Sequence, residues 1–457
     1  MSFKNFGKTL LMSALSVGVV LGISSCVQSY SVGYLYVTGT NTSATNNNGI
    51  LSGFKIDHNK GLLTPINGLP ISTGGSNPVR AVLLSGGRFV YVLNRGVNSS
   101  GGADCSAADP CQGNITEFAI GGNGVLTPQG QAFFPQGQNS ERMFTDGNGA
   151  YLYVLDHDSP DNFATTYNAS TNGCTLALVA GVQTCGDISA FKIDSSTGRL
   201  TAVVNAQVTS VSGQPLTYFP VPANPIDFLF LSNSILTLSG TPGTGDAVFP
   251  YSYSATSGQL TINQNSSQPL NIGNGKAIVG AGGLVYVLDA ETLTRTVTDN
   301  GATTIVTAPS WIFQYSLGSN GALQAINGGA VAGDPTLTNP IYLVQENKGK
   351  WIYVAMQGDN TDPNNTQSGI EGFVLDPSNH QLSTLSGSPF GTGAGPQCML
   401  EDPSNQFIYT ANFNSSTMTG RVIDQSSGVL NPLPGSANKA YQLSGPATWC
   451  IATGRTS

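Results

Sequence analysis

An all-β fold of seven four-stranded units, closed into a ring, is what this sequence predicts, on three observations. A β-rich phrase ending in Tyr-Val or a near relative recurs seven times across the 457 residues. Most copies lead into a polar loop, an alternating strand, a tight turn that commonly ends in Gly, and a strand opening on Leu. The last strand of the chain has no Tyr-Val phrase after it, and the first Tyr-Val phrase has no strand before it. The two ends complete one unit. Self-similarity at a fixed period signals a repeat architecture. The repeated unit here is the blade of a seven-bladed β-propeller, its ring closed by the C-terminal strand joining the N-terminal blade.

Each blade is read as strands A to D. Strand B carries the phrase: YLYV at Tyr34, FVYV at Phe89, YLYV at Tyr151, ILTL at Ile235, LVYV at Leu284, WIYV at Trp351 and FIYT at Phe407. Strand C is ILSGFKID from Ile50, NITEFAI from Asn114, DISAFKID from Asp187, WIFQYSL from Trp311 or IEGFVLD from Ile370. The turns HNKG, GGNG, SSTG, ATSG, GSNG and QSSG then lead to strand D near Leu63, Leu126, Leu200, Leu260, Leu323, Leu382 or Leu430. Strand A often follows Asn-Pro or Gly-Pro, at Pro78, near Ser140, at Pro225, near Lys276, at Pro340, at Pro396 and in Pro446-Ala-Thr-Trp-Cys-Ile-Ala. Alternation with β-branched and aromatic residues marks these segments as strands, and no helix is expected. Closing the ring removes the sheet edges that invite aggregation.

The first 26 residues form an address rather than part of the fold. Lys4 and Lys8 precede a short apolar run from Thr9 to Ile23, and Ile23-Ser24-Ser25-Cys26 follows at once. This pattern predicts a lipoprotein signal at 1–26, with Cys26 acylated after cleavage. A tether over 27–33 and one propeller domain over 34–457 complete the chain. Val27 after the cysteine points to an outer-membrane lipoprotein, on the periplasmic or the surface face. Charged residues are 9% of the chain, apolar ones 39%, and the formal net charge is −8. The apolar share builds a large core, and the missing basic footprint argues against nucleic acid as a partner.

Six cysteines remain in an oxidising compartment. Cys105 with Cys111, and Cys174 with Cys185, read as local staples of polar loops. Counted from their prolines, Cys398 and Cys450 point in the same sense, so a bond between them would need a bulge or register shift. Their pairing stays open.

Long insertions fall almost entirely between strands B and C: 41–48, 95–113, 156–186, 289–309 and 357–369. These loops share a face with the start of strand A, and loop variation on a rigid scaffold marks a binding face. The second residue after each strand-A proline, or its equivalent, is expected at the channel mouth. Those residues are Arg80, Arg142, Asp227, Tyr342, Cys398 and Thr448. Arg80, Arg142, Asp227 and Tyr342 are the candidate ligand-binding set, with the arginines suited to a carboxylate or phosphate. Polar residues there could equally satisfy one another and channel water.

There are three histidines. His58 and His380 fall in or beside C–D turns. His157, in Asp156-His157-Asp158-Ser159-Pro160-Asp161, follows strand B on the loop-rich face and could act as a general base. Asp156, Asp158 and Asp161 could offer oxygen ligands to calcium, without the EF-hand spacing. No other cofactor is expected, no zinc pattern is present, and no nucleophile elbow, H-E-x-x-H or P-loop occurs.

The Tyr-Val phrases, the Leu-Thr opening of strand D and the Asn/Gly-Pro lead-in to strand A resemble the lactonase-type seven-bladed propellers, which include 6-phosphogluconolactonase-like and YVTN-repeat proteins. The resemblance covers roughly residues 30 to 455. It implies Arg, His and Glu at the channel. The stretches similar to that pattern are Asn77-Pro78-Val79-Arg80 and Asn139-Ser140-Glu141-Arg142-Met143, which makes Glu141 and Arg142, with His157, the candidate catalytic residues.

Two functions follow from the sequence. The first is an exported, lipid-anchored module that binds a small anionic ligand or a protein through its loop-rich face. It is favoured because no strand A carries a histidine. The alternative is a lactonase-like hydrolase acting on a sugar lactone. Arg80 and Arg142 would then orient an anionic substrate, and Glu141 or His157 would activate water.

Overall fold

The computed structural model describes residues 30–454 apart from 42–47, 85, 161–176, 180–181, 211, 232–233, 241–244, 263–267, 271, 300–301, 319–320, 360, 362–364 and 436–439. Every regular element among the described residues is a β-strand. The strands form seven antiparallel sheets of four or five strands and three two-stranded ribbons. Sheets I to VII are numbered by their B strands: Ser31–Thr40, Phe89–Asn94, Tyr151–Asp158, Ser234–Ser239, Leu284–Asp289, Trp351–Met356 and Phe407–Asn412. Their A strands are, in the same order, Ala447–Gly454, Pro78–Leu83, Gln138–Thr145, Pro225–Phe230, Gly275–Ala281, Pro340–Gln345 and Pro396–Glu401.

The last strand of the chain thus pairs with the first: Val37 lies opposite Cys450 and Leu35 opposite Ala452. Each A strand contacts the A strand of the next sheet, and that of sheet VII contacts that of sheet I. Apolar side chains fill the seams between sheets. Tyr91, Leu93 and Ile115 of sheet II, for example, pack with Leu152, Val154 and Phe191 of sheet III. Sheets I, III, IV and VII differ from the four-strand expectation, because a fifth short strand pairs with strand C beyond strand D. Strand B of sheet I also starts at Ser31, inside the stretch expected to be tether, with Ser31 opposite Asp57.

The recurrent tyrosine has a physical reason. Its hydroxyl donates to the carbonyl of the C–D turn glycine in the next sheet: Tyr36 to Gly124 at 2.8 Å, Tyr91 to Gly198 at 2.6 Å and Tyr153 to Gly258 at 3.2 Å. Tyr353 donates to Gly428 at 2.7 Å, and Tyr409 to Gly61 at 2.6 Å, which joins sheet VII to sheet I. All five tyrosines are buried. The turn needs glycine twice over. At Gly61 φ is +65°, and a Cβ there would lie 2.5 Å from the Phe407 ring. The same holds at Gly428, where a Cβ would lie 2.6 Å from Trp351. Left-handed backbone and close approach both favour a residue without a side chain.

The opposite end is built by a different device. In all seven sheets the A–B ladder slips by one residue near the start of strand A, as between Pro78 and Arg80 or Pro340 and Tyr342. Such bulges re-aim side chains. The preceding Asn77, Asn139, Asn224 and Asn339 have φ between 50° and 57°. Asparagine tolerates that region, and the following proline or serine then begins the extended strand.

Cys105 and Cys111 are bonded, with Cα atoms 5.3 Å apart. Cys185 is disulfide-bonded too, and Cys174, its expected partner, lies outside the described residues. Cys398 and Cys450 are bonded as well, with Cα atoms 5.8 Å apart. Counting from prolines misjudged this pair, because Pro446 sits one residue earlier relative to the ladder than Pro396 does. Ala447 pairs with Gly39, whereas Pro396 itself pairs with Asn412. In ladder register Cys398 is two residues along and Cys450 three, so their side chains face each other across the seam.

Candidate functional site

The register slip brings the inner strands' first residues around one cup of about 260 Å³ on the face that carries the long loops. Arg80, Arg142, Asp227 and Tyr342 line it together, as does Thr448. Trp449, Lys276, Asn339, Gln357 and Gln397 line it too. Sequence reading missed these five. Trp449, not Thr448, is the ladder equivalent of Arg80, and the proline offset in sheet I hid it.

Arg80 is 3% exposed. Its guanidinium carbon lies 3.4 Å from the centre of the Trp449 ring and 4.4 Å from that of Phe144, with Tyr342 at 5.9 Å. Among the described residues no acceptor hydrogen-bonds to it. Aromatic faces stabilise a cation there, but they satisfy none of the five N–H donors. Burial lowers its pKa to about 10, with Tyr342 acting in the opposite sense, so Arg80 remains charged at neutral pH. Tyr342 packs edge-on to Trp449 at 5.1 Å, and burial raises its hydroxyl pKa above the usual value.

Arg142 is placed differently. Its Nε donates to Asp227 Oδ1 at 3.2 Å, and its Nη1 donates to the Glu141 carbonyl at 3.0 Å. Asp227, 4% exposed, also accepts the N–H of Phe228 at 3.0 Å and of Ile278 at 3.1 Å. Asn339 donates to Gln357, whose amide donates to Gln397, so the amides of the wall are tied together. Arg80, Arg142 and Lys276 outnumber the one lining carboxylate, Asp227, and Glu141 Oε2, 3.8 Å from Arg142 Nη1, so the cup stays cationic.

Glu141 and His157 do not line the cup. Glu141 is engaged by Arg95 at 2.5 Å, and Arg95 also donates to the Ser140 carbonyl. His157 Nδ1 lies 3.0 Å from Asp158 Oδ2. Burial works against the charged imidazole, but the hydrogen bond and charge of Asp158, helped by Glu141, outweigh it and raise the pKa. Asp158 further accepts Asn139, while Asp156 accepts Ser140. The two therefore serve different partners, and Asp161 lies outside the described residues. No cluster of three or more candidate metal ligands forms among the described residues. His58 stacks on Tyr30 at the opposite end of the sheets, and the His380 carbonyl accepts Gln314 there.

All-β architecture and a cationic cup among the inner strands' first residues define a propeller with its candidate site on the loop-rich face. No family model and no curated protein matches the sequence. In structure the chain is similar to the periplasmic gluconolactonase PpgL of Pseudomonas aeruginosa, with 16% identity and a TM-score of 0.60 over 93% of this chain and 99% of that one. It is similar too to a provisional 6-phosphogluconolactonase from Bacteroides uniformis, with 12% identity and a TM-score of 0.62 over 93% and 100%. A Lactobacillus plantarum protein shares 16% identity and a TM-score of 0.56 over 92% and 99%. The fold is that of the lactonase-like propellers, as the sequence resemblance implied. The disulfides are of a kind that persists in oxidising compartments.

Proposed function

We propose that this chain is an exported, lactonase-like propeller of seven blades that holds a small sugar lactone in the cationic cup and hydrolyses it. The observation that carries the reading is Arg80: a buried guanidinium, stacked between Trp449 and Phe144, with its donors unclaimed by the described residues. In lactone hydrolysis water adds to the ring carbonyl, negative charge develops on the carbonyl oxygen, and the ring C–O bond breaks to give a hydroxy acid. Preorganised donors in a dry site stabilise such charge, and Arg80 with Arg142 supplies them for the oxyanion and the carboxylate product. Asp227 is the carboxylate among the lining residues and takes the role of water activation, displacing Glu141 and His157. The likeness to PpgL, named a periplasmic gluconolactonase, supports the substrate class.

Seven sheets, strand pairing between the chain's two ends and the Tyr409–Gly61 bond support a closed ring. Acylation at Cys26 and an outer-membrane address complete the reading. Capture of an anion without turnover is the second reading. It is favoured by one fact: Asp227 already accepts Arg142 and two backbone N–H groups.

Purified protein assayed on a panel of aldonolactones tests the proposal. Turnover falling at least a hundredfold in Arg80→Met and Asp227→Asn, with thermal stability kept, is the expected result. Binding of an aldonate without turnover, lost in Arg80→Met, establishes capture instead. Neither turnover nor binding removes the cup from consideration.

A further inference from the structure

We infer that the end of the propeller bearing its A–B and C–D turns lies against the bilayer, so that the cup opens away from it into water. The inference rests on the lipid-anchored reading above and adds to it an orientation and a docking surface.

The argument starts where the described chain starts. Tyr30 is pinned at the turn-bearing end: its carbonyl accepts the His58 N–H at 3.0 Å, and its ring stacks on His58 with centroids 4.4 Å apart. Strand B of sheet I begins at the next residue, Ser31. Only Val27, Gln28 and Ser29 separate Tyr30 from Cys26. Four Cα-to-Cα steps reach at most about 14 Å. An acyl chain on Cys26 therefore holds this end of the domain at the headgroups.

The surface found there suits that position. Tyr30 is 50% exposed, and a ring with one apolar and one polar edge is favoured at a membrane interface. An open hollow of about 850 Å³ indents the same end, walled by Leu229, Phe230, Leu231, Tyr253 and Leu317. Exposed Lys60, Arg88, Arg199, Lys348 and Lys350 stand on the surrounding turns. Carboxylates on these turns accept N–H groups of their own backbone and stay charged. Asp57 accepts the N–H groups of Asn59 and Lys60, Asp402 those of Ser404, Gln406 and Phe407, and Asp424 those of Ser426 and Ser427. The cations thus stand beside charged carboxylates, exposed Asp194 and Asp376 included, and it is the apolar hollow with Tyr30 that fits the membrane interface. At the opposite end, Arg80, Arg142 and Lys276 face the cup. A ligand reaching them comes from the aqueous phase, so the substrate class is water-soluble rather than lipidic.

The test is lysine footprinting by mass spectrometry on the processed full chain in vesicles of phosphatidylethanolamine with a minority of phosphatidylglycerol. The soluble Cys26→Ser protein serves as reference. Lys60, Lys348 and Lys350 should lose reactivity several-fold on the vesicles while Lys276 keeps it. A flexible Gly/Ser insert of about 20 residues between Ser29 and Tyr30, long enough to free the domain, should restore the three lysines. An unacylated Cys26, read from the mass of the N-terminal peptide, overturns the anchor and the orientation together. Acylated protein whose Lys348 and Lys350 react as in the reference overturns the orientation alone.

Discussion

The two ends of the sheets are made by opposite rules. At the turn-bearing end one hydrogen bond, tyrosine to the carbonyl of a left-handed glycine, is used at five seams. At the cup end the seven ladder-equivalent positions are Trp449, Arg80, Arg142, Asp227, Ala277, Tyr342 and Cys398. Packing one sheet on the next asks for the same seam at every step, so its chemistry repeats. Holding one unsymmetrical ligand asks for different groups around the axis, so the chemistry there does not. Repetition in the sequence therefore reports the fold, and departures from it at equivalent positions report the site.

The largest effect expected from breaking this contrast lies at Cys398. There the cup end gives up an inner-strand position to a covalent seam, joining the inner strand of sheet VII to that of sheet I across 52 residues of sequence. A loop of that length restrains the unfolded chain by about 4 kcal/mol in the chain-entropy model. Cys398→Ala with Cys450→Ala should lose that much in denaturant unfolding monitored by tryptophan fluorescence. A loss below about 1 kcal/mol would mean that the strand ladder and Tyr409 alone hold the seam between sheets VII and I.

A smaller effect separates latched from unlatched seams. Tyr409 is fully buried, and its loss as Tyr409→Phe leaves the Gly61 carbonyl without its donor, a change that costs about 1–3 kcal/mol. Tyr286 occupies the same place in sheet V and is equally buried, but its hydroxyl reaches no carbonyl and lies against Gln314, which itself donates to His380. Tyr286→Phe should cost no more than about 0.5 kcal/mol. Equal losses in the two variants would show that the ring packing, and not the hydrogen bond, stabilises the seams.

Much of this was legible in advance, and for a physical reason. Strand periodicity and the Gly turn are local features. The start of every strand D and the start of the proline-led A strands could thus be read from residue type alone. Arg80, Arg142, Asp227 and Tyr342 were found because the Asn-Pro lead-in, or Asn139-Ser140 in the case of Arg142, fixes their distance from a visible marker. Trp449 and the Cys398–Cys450 bond escaped because in sheet I that marker stands one residue early, an offset only the hydrogen-bond ladder reveals. Glu141 was chosen by resemblance, and His157 by its place after a B strand among carboxylates. Their capture by Arg95 and Asp158 depends on neighbouring strands and loops, which no local pattern encodes.

The smallest effect sharpens the comparison from the other side, by restoring a seam. Six of the seven C–D turns end in glycine, and the seventh ends in His380, held at φ 60°. It is tolerated there because the residue in the place of the Phe407 and Trp351 rings is Leu284, which is smaller and leaves room for a Cβ. Left-handed backbone still disfavours a branched side chain by roughly 1 kcal/mol, partly offset by the looser unfolded chain that glycine brings. His380→Gly alone should therefore stabilise by less than about 1 kcal/mol. Adding Gln314→Ala releases the turn carbonyl that Gln314 now occupies and lets Tyr286 take it. The two changes should then be more stabilising together than the sum of each alone, a coupling that a double-mutant cycle reads directly. In that background Tyr286→Phe should become as costly as Tyr409→Phe. If it stays neutral, the tyrosine–carbonyl bond is a consequence of the regular seams and not one of their causes.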